Sequence, residues 1–584
     1  MKIKKYFKLI HSNFNLKFFK RVEDAVFSFS LTEKILFWTF VVIFIGSAFS
    51  LAIRVSNTFL VNVPGFGGTI REGIIGTPRF INPLLASSNI DRDLTSLVYS
   101  GLMRKTATNS FLPDLADKYE VSEDKLQYTF YLKDNIEFHD GTPITTDDII
   151  FTILKTQDPQ TDSSKKTLWE GVSIEKISPT KIIFRLQKPN INFIQNTTMG
   201  ILPKHLWDVV LDGGFSLSKY NNEPIGSGPY KVSKIKRDST NIPISYTLEA
   251  NSKYSLGKPY ISKIIFFFAK NTEELIQMFN NGKISSIAGI EPKTVKQIEG
   301  SKTRIIALPL PRIFGVFLNQ NESPILANSE VREALDIATP KTDIVEKTLS
   351  GFASKIKNPI PIQLYKQEAD KKEQVSTTQS NIDAGRMILE KAGWTKNENG
   401  IFVLETEDEN LMLSFSISTS NVPELVAVAT QITEAWRKLG ADVALKVFEI
   451  SDLNQTVIRP RNFDALLFGM VVDQYLDLYG FWHSSQRIDP GLNITGYTNI
   501  TVDKNLEKLK KSTNENDIQE ILREFNKNMQ EDLPAIFLYS PEFIYIVPKE
   551  INGIQIDNIT NTEDRFMNIN EWFIQKDKVW RIFN

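Results

Sequence analysis

Hydrophobic and polar positions divide the chain into two unlike parts. Residues 35–53, "ILFWTFVVIFIGSAFSLAI", carry no charge, and twelve of these 19 are Leu, Ile, Val or Phe. As a helix rising about 1.5 Å per residue they span roughly 28 Å, close to the ~30 Å hydrocarbon core of a bilayer. At about −0.3 to −0.6 kcal/mol each for insertion, the large apolar residues outweigh the Thr, Ser and Gly among them. The pattern predicts one transmembrane helix. "NVPGFGGT" (62–69) then reads as a Gly/Pro-rich connector. Beyond it, strand-like and helix-like segments alternate to the end. "LQYTFYL" (126–132) and "KIIFRL" (181–186) alternate as half-buried strands do. "NTEELIQMFNNGK" (271–283), "NIDAGRMILEKAGW" (381–394) and "ELVAVATQITEAWRKLG" (424–440) show helical spacing followed by a glycine stop. The chain is mixed α/β, with no internal repeat.

Charge orients the apolar span. Lys2, Lys4, Lys5, Lys8, Lys17, Lys20, Arg21 and Lys34 precede it, and between it and Ile70 there is only Arg54. The positive-inside rule predicts a cytoplasmic N-terminus with the remainder extracytoplasmic. Cleavage after "GSA" (46–48) is the alternative. A 34-residue leader is long for a secretory signal, so an uncleaved anchor is expected.

At 584 residues the chain exceeds one core, and two to four domains are expected. With 68 basic and 69 acidic residues the net charge is −1, and nothing points to nucleic acid. Cysteine is absent, which excludes disulfides, thiolate metal sites, cysteine nucleophiles and a lipidated N-terminal cysteine. There is no Walker loop, HExxH, GxSxG or GxGxxG, and the four histidines, His11, His139, His205 and His483, are scattered. No enzymatic activity, cofactor or metal site is expected. The densest polar stretch is "IEFHDGTPITTDDI" (136–149), which holds His139, Asp140, Asp147 and Asp148. It reads locally as scaffold: a strand, an Asp-Gly turn, and a helix start. Thr145 and Asp148 have capping-box spacing there, and two aspartates oppose the helix dipole.

The stretch "LPDLADKYEVSEDKLQYTFYLKDNIEFHDGTPITTDDIIFTI" (112–153) resembles the signature region of the family 5 extracellular solute-binding proteins, the peptide- and nickel-binding receptors of ABC importers. The resemblance continues in order through "ILPKHLW" (201–207), "PIGSGPYKV" (224–232), "LNQNESPILANSEVREAL" (318–335), "ILEKAGW" (388–394) and "FDALLFGMVVD" (463–473). It implies an α/β, two-lobed periplasmic-binding-protein type II fold with an extra subdomain, preceded here by one N-terminal transmembrane helix. The divisions then become a cytoplasmic basic segment (1–34), an anchor (35–53) and a linker (54–66). Lobe I takes 67–96, 201–307 and 537–584, its extra subdomain 97–200, and lobe II 308–536.

By the same resemblance the chain is expected to be a monomeric receptor. It would capture a peptide or other small solute between its lobes and deliver it to an ABC permease complex. A surface sensor or interaction protein on the same fold, or a receptor for a nickel complex, is the alternative. In peptide-binding relatives a lobe II aspartate pairs with the ligand's α-ammonium, and alignment puts that role on Asp473, with Asp477 as fallback. Tyr475 and Trp482 follow as aromatic candidates. Arg312, Phe314 and Phe317 are candidates because "PLPRIFGVFLN" follows the expected hinge. An arginine that meets the peptide C-terminus in some oligopeptide binders falls on Leu467, so an ordinary peptide carboxylate is not expected at that position.

Overall fold

The structure, a computed structural model, describes residues 25–580 except 59, 109, 191, 211–213, 299–301, 362–363, 366–376, 407–409, 473–474 and 513. The chain falls into two units, Met1–Gly65 with Gln575–Asn584, and Phe66–Ile574.

In the first unit a helix runs Leu31–Thr58, longer at both ends than the apolar run. Ser30 starts it, with its backbone N–H and its hydroxyl both donating to the Glu33 carboxylate (2.8 and 2.7 Å). The span Leu31–Leu51 is long and apolar enough to cross a membrane, and none of it is buried by protein. Thr39 returns its hydroxyl to the Ile35 carbonyl at 2.8 Å, so this polar group is satisfied within the helix. Most of the described residues of 54–66, expected as a linker, lie instead in regular elements. The helix continues to Thr58, and Leu60–Pro64 forms a strand antiparallel to Lys576–Trp580, with Leu60 opposite Trp580. The cause is a local apolar alternation in "LVNVP" that finds a partner strand more than 500 residues away, which the connector's glycines mask in the sequence. The strand Lys576–Trp580, expected as part of lobe I, thus pairs with the strand that follows the N-terminal helix.

In the second unit most strands join one long sheet. From one edge its order is Asp442–Phe448, Ser414–Ser420, Ala465–Val471, Arg312–Leu318, Ala535–Pro548, Ser286–Ala288, Thr69–Ile75, Lys263–Ala269, Pro243–Ala250 and Tyr230–Arg237. The strand Ala535–Pro548 holds the two halves together. Its first residues pair with Arg312–Leu318 and its last with Thr303–Pro309. "AIFLYSPEFIYIVP" is a nearly continuous apolar run, as suits a strand covered on both faces. Only Pro541, Glu542 and the terminal Pro548 are less than fully buried.

Each half has its own cores. Those of the first lobe centre on Tyr246, Phe266 and Trp572, and on Ile287, Ile544 and Ile546. Those of the second centre on Trp394 and Trp436, and on Phe317, Trp482 and Phe537. A further core around Phe130, Trp169, Phe184 and Phe193 belongs to the subdomain. There a four-stranded antiparallel sheet (Ala116–Val121, Gln127–Leu132, Lys181–Arg185, Ser173–Ser178) is joined by the helix Thr146–Gln157.

That helix starts as its sequence predicts. Thr145 and Asp148 form a reciprocal capping box, with the Thr145 N–H donating to Asp148 Oδ2 at 2.9 Å. Asp147 pairs with Lys176 at 2.7 Å. His139 has a role that periodicity does not show. Its ring lies between two glycines of the "PIGSGPYKV" stretch: Gly226 N–H donates to Nδ1 (3.3 Å), and Nε2 meets the Gly228 carbonyl (3.1 Å). The neutral ring protonated on Nε2 satisfies both bonds. The two signature stretches are thus fastened to each other. Both glycines are required by contact, because a Cβ on Gly226 would lie 2.1 Å from the Val98 carbonyl oxygen and one on Gly228 2.6 Å from that of Leu97.

Candidate functional site

Two short segments carry the chain between the lobes. One is Leu310-Pro311, between the strands Thr303–Pro309 and Arg312–Leu318, and the other is Ser540-Pro541 within the long strand. They are bonded to each other: Leu310 N–H donates to the Pro541 carbonyl (2.9 Å) and Ser540 Oγ to the Leu310 carbonyl (2.8 Å). Two prolines side by side restrict bending to these few dihedrals.

Ligands of open α/β sheets bind outside the carboxyl ends of the strands. In the first lobe the strands Thr69–Ile75 and Ser286–Ala288 run parallel. In the second, Ser414–Ser420 runs parallel to Ala465–Val471. The loop after Ile75 is held by Asp91, whose Oδ1 accepts the N–H groups of Arg79 (2.7 Å) and Phe80 (3.0 Å). After Ser420 comes the helix Pro423–Leu439, with Glu424 in its first turn. After Ala288 come Glu291 and Lys293, paired at 2.8 Å. These ends approach one another. Burial raises the Glu424 carboxyl above the usual carboxylate range. The Tyr539 hydroxyl, which donates to it at 3.2 Å, and Lys293 work against the shift, and Glu291 adds to it.

The sequence-derived candidates divide on this frame. Arg312 opens its strand opposite Val471 and is exposed. Among the described residues its guanidinium has no hydrogen-bond or ion-pair partner. Partial burial, and then the positive charge of Arg92 on the first lobe, hold it below the usual arginine range. Phe314, two residues on and on the same strand face, stacks on Tyr539 with ring centroids 5.0 Å apart at 10°. Phe317 and Trp482 are instead core residues, 2% and 1% exposed. They stack on each other at 6.1 Å, with Trp482 edge-on to Phe537. Position in a strand explains the difference, since Phe317 faces the opposite side of its strand from Phe314. Asp473 lies outside the described residues, and of the Tyr475 side chain nothing is described. Asp477 is half-buried in the first turn of the helix Tyr475–Trp482.

Sequence reasoning missed Glu424, Tyr539 and Arg92. Glu424 carried a weak signal, an acid beside a proline at a helix start. Tyr539 and Arg92 carried none, because their neighbours here are 115 and 220 positions away in sequence. One hollow, 630 Å³, is on the subdomain between Lys165 and Met199 and touches neither crossing segment. A smaller one, 270 Å³, lies where the first lobe meets the subdomain and is lined by Arg92, Tyr99, Lys105 and Glu563 among others. Among the described residues no group of three His, Cys, Asp or Glu side chains could hold a metal. His205 pairs with Asp140 at 2.8 Å, and His483 is 7% exposed and stacks on Tyr479.

Comparison with known proteins gives a consistent picture. The model of the bacterial extracellular solute-binding proteins, family 5 middle, matches residues 110–488. The chain is 26% identical over 523 residues to the oligopeptide-binding protein AppA of Bacillus subtilis, covering 88% of this chain and 93% of that one. It is similar to the solved structure of Bacillus subtilis AppA in complex with a nonapeptide, with a TM-score of 0.63 at 24% identity over 88% of this chain and 100% of that one. It is also similar to NikZ from Campylobacter jejuni in complex with Ni(L-His), with a TM-score of 0.62 at 25% identity over 86% and 99%.

Proposed function

The chain belongs to family 5 of the bacterial extracellular solute-binding proteins, and on that premise we propose that it is a membrane-anchored receptor that captures peptide-like ligands between its lobes and delivers them to an ABC permease. The observation that carries this reading is the pair of facing strand ends. Charged groups from both lobes, Glu424 with Glu291 and Arg312 with Arg92, sense one another across the junction at Leu310-Pro311 and Ser540-Pro541. A ligand bearing both charges makes contacts with both lobes only when they are closed, so it shifts the open–closed population toward closure. Asp473 receives the α-ammonium, in a charge-assisted bond roughly twice as strong as a neutral one. The lobe divisions at about 97, 201, 308 and 537 follow the same reading. The helix Leu31–Thr58 acts as the uncleaved tether, with its basic N-terminal flank in the cytoplasm and the binding unit outside.

Similarity to NikZ supports a second ligand class, a chelated metal brought in as a complex. The experiment is a thermal-shift screen of the full-length protein in detergent against short peptides and nickel–histidine. A true ligand at 100 times its Kd adds about 2.7 kcal/mol of stability. Asp473→Ala is expected to abolish the shift from free-amine peptides and leave the unliganded melting temperature in place. A screen in which neither class shifts the melt refutes the receptor reading.

A further inference from the structure

The strand Lys576–Trp580 runs back toward the end of the ribbon from which the apolar helix departs. It is antiparallel to Leu60–Pro64, and Trp580 stands opposite Leu60, two positions after the helix ends at Thr58. The uncharged run ends at Ile53. From there the helix rises about 7.5 Å to Thr58, and the step on to Leu60 adds at most about 7.6 Å. The Leu60–Trp580 rung therefore lies within about 15 Å of the hydrocarbon edge, and the headgroup layer fills roughly 5–8 Å of that gap. Residues 581–583, which follow toward the same end, reach up to about 10 Å when extended, enough to cover the rest.

Composition suits that destination. Lys576 and Lys578 are exposed, Arg581 follows, and Asp577 is the one acid in 575–584. Strand alternation puts Lys576, Lys578 and Trp580 on one face. Trp580, Ile582 and Phe583 supply apolar and aromatic groups beside these cations. Aromatic rings at headgroup level and basic residues against anionic lipid are how segments settle at a bilayer surface. A ribbon of two strands is also marginal in water on its own, and among the described residues no third strand joins this one. A surface that receives its free end supplies the missing support.

We propose that the segment Trp580–Phe583 docks on the extracytoplasmic leaflet beside the helix, as a second membrane contact. Trp580 and Phe583 enter the headgroup layer, and Lys578 and Arg581 meet anionic lipid phosphates. The inference rests on the tether reading of the helix Leu31–Thr58 and adds a lipid surface as the partner of this segment.

The intact mass of the full-length protein extracted from cell membranes is read first. Retention of residues 1–48 is expected, and their loss overturns the tether reading and this inference together. The chain has no cysteine, so Asn584→Cys and Asn62→Cys each take a single fluorophore, and Asn62 is an exposed position on the same ribbon. The labelled full-length proteins are placed in vesicles of phosphatidylcholine and phosphatidylglycerol. The label at position 584 is expected to be quenched by a nitroxide on lipid headgroups and shielded from iodide in the water, with the reverse at position 62. Trp580→Ser and Phe583→Ser should each lose most of the headgroup quenching at 584; Phe583 lies beyond the described strand, so its variant keeps the paired rungs. Omitting phosphatidylglycerol should weaken that quenching too. Free access of iodide to position 584 overturns the inference and leaves the tether standing. So does quenching by neither reagent, because the segment is then covered by protein. Headgroup quenching that survives either substitution also overturns it, because the helix alone then brings the segment near the bilayer. Indifference to phosphatidylglycerol overturns the choice of anionic lipid as partner.

Discussion

His139 makes the junction of the first lobe and its subdomain acid-sensitive by a calculable amount. Burial, more than any nearby charge, lowers its pKa to about 4, and its two bonds need one nitrogen bare and one protonated. An unfolded histidine titrates near 6.5. The folded value lies below the unfolded one, so the unfolded chain binds the proton first. The contribution to stability is whole above pH 6.5 and is lost as pH falls toward 4. At 1.36 kcal/mol per pH unit the full loss is about 3.4 kcal/mol, of which about 2 kcal/mol has gone by pH 5. Hydrogen exchange read by mass spectrometry on peptides spanning 136–149 and 224–232, corrected for intrinsic rates, follows the opening of this joint. Opening free energy is expected to fall by about 2 kcal/mol more in the wild type than in His139→Gln between pH 7.5 and pH 5. The variant should already be weaker at pH 7.5 by about 1–3 kcal/mol, because one glycine backbone group loses its partner. If wild type and variant lose equal amounts on acidification, the histidine is not neutral and buried as described, and the argument fails.

Four further outcomes follow from the same geometry. Burial raises the Glu563 carboxyl to about 7, so its charge opposes folding increasingly as pH rises from 4.5 through 7; Glu563→Gln should flatten that fall in thermal melts between pH 5 and 8, raising stability at pH 8 by up to about 3 kcal/mol. Arg565→Met leaves Glu72 and Asp93 buried without their cation, and a loss of about 3–5 kcal/mol is expected in denaturant unfolding. Gly226→Ala puts a methyl 2.1 Å from the Val98 carbonyl oxygen and should cost upward of about 3 kcal/mol, seen as failure to accumulate folded protein. Trp482→Ala should cost about 3–5 kcal/mol of stability through its core position. In a titration at a temperature where the variant remains folded, ligand affinity should hold, whereas a tenfold loss would return Trp482 to the cleft.

What could be read in advance, and what could not, depends on how far apart in sequence the determining partners are. The capped helix at 146–157 was legible because Thr145 and Asp148 settle its start within four residues, and the long apolar helix near the N-terminus because its apolarity is written in nineteen consecutive ones. The signature glycines were legible as a pattern but not as a cause. Gly226 and Gly228 are fixed by the backbone of residues 97–98 and by His139, which no local window contains. The cleft is the limiting case. Arg312 was named for following a hinge, and Phe317 for the same reason, yet strand alternation sends one to the junction and the other into a core. Alternation alone could not have picked out a cleft residue, because both faces of this strand meet second-lobe cores: Phe314 packs on the one around Trp394 and Trp436, and Phe317 lies in the one around Trp482 and Phe537. The first-lobe partner of Arg312, Arg92, lies on a helix whose sequence reads as an ordinary amphipathic element. A binding site between lobes is assembled from residues with no reason to be near each other in sequence. The scaffold that positions it is therefore recognisable long before the groups that touch the ligand.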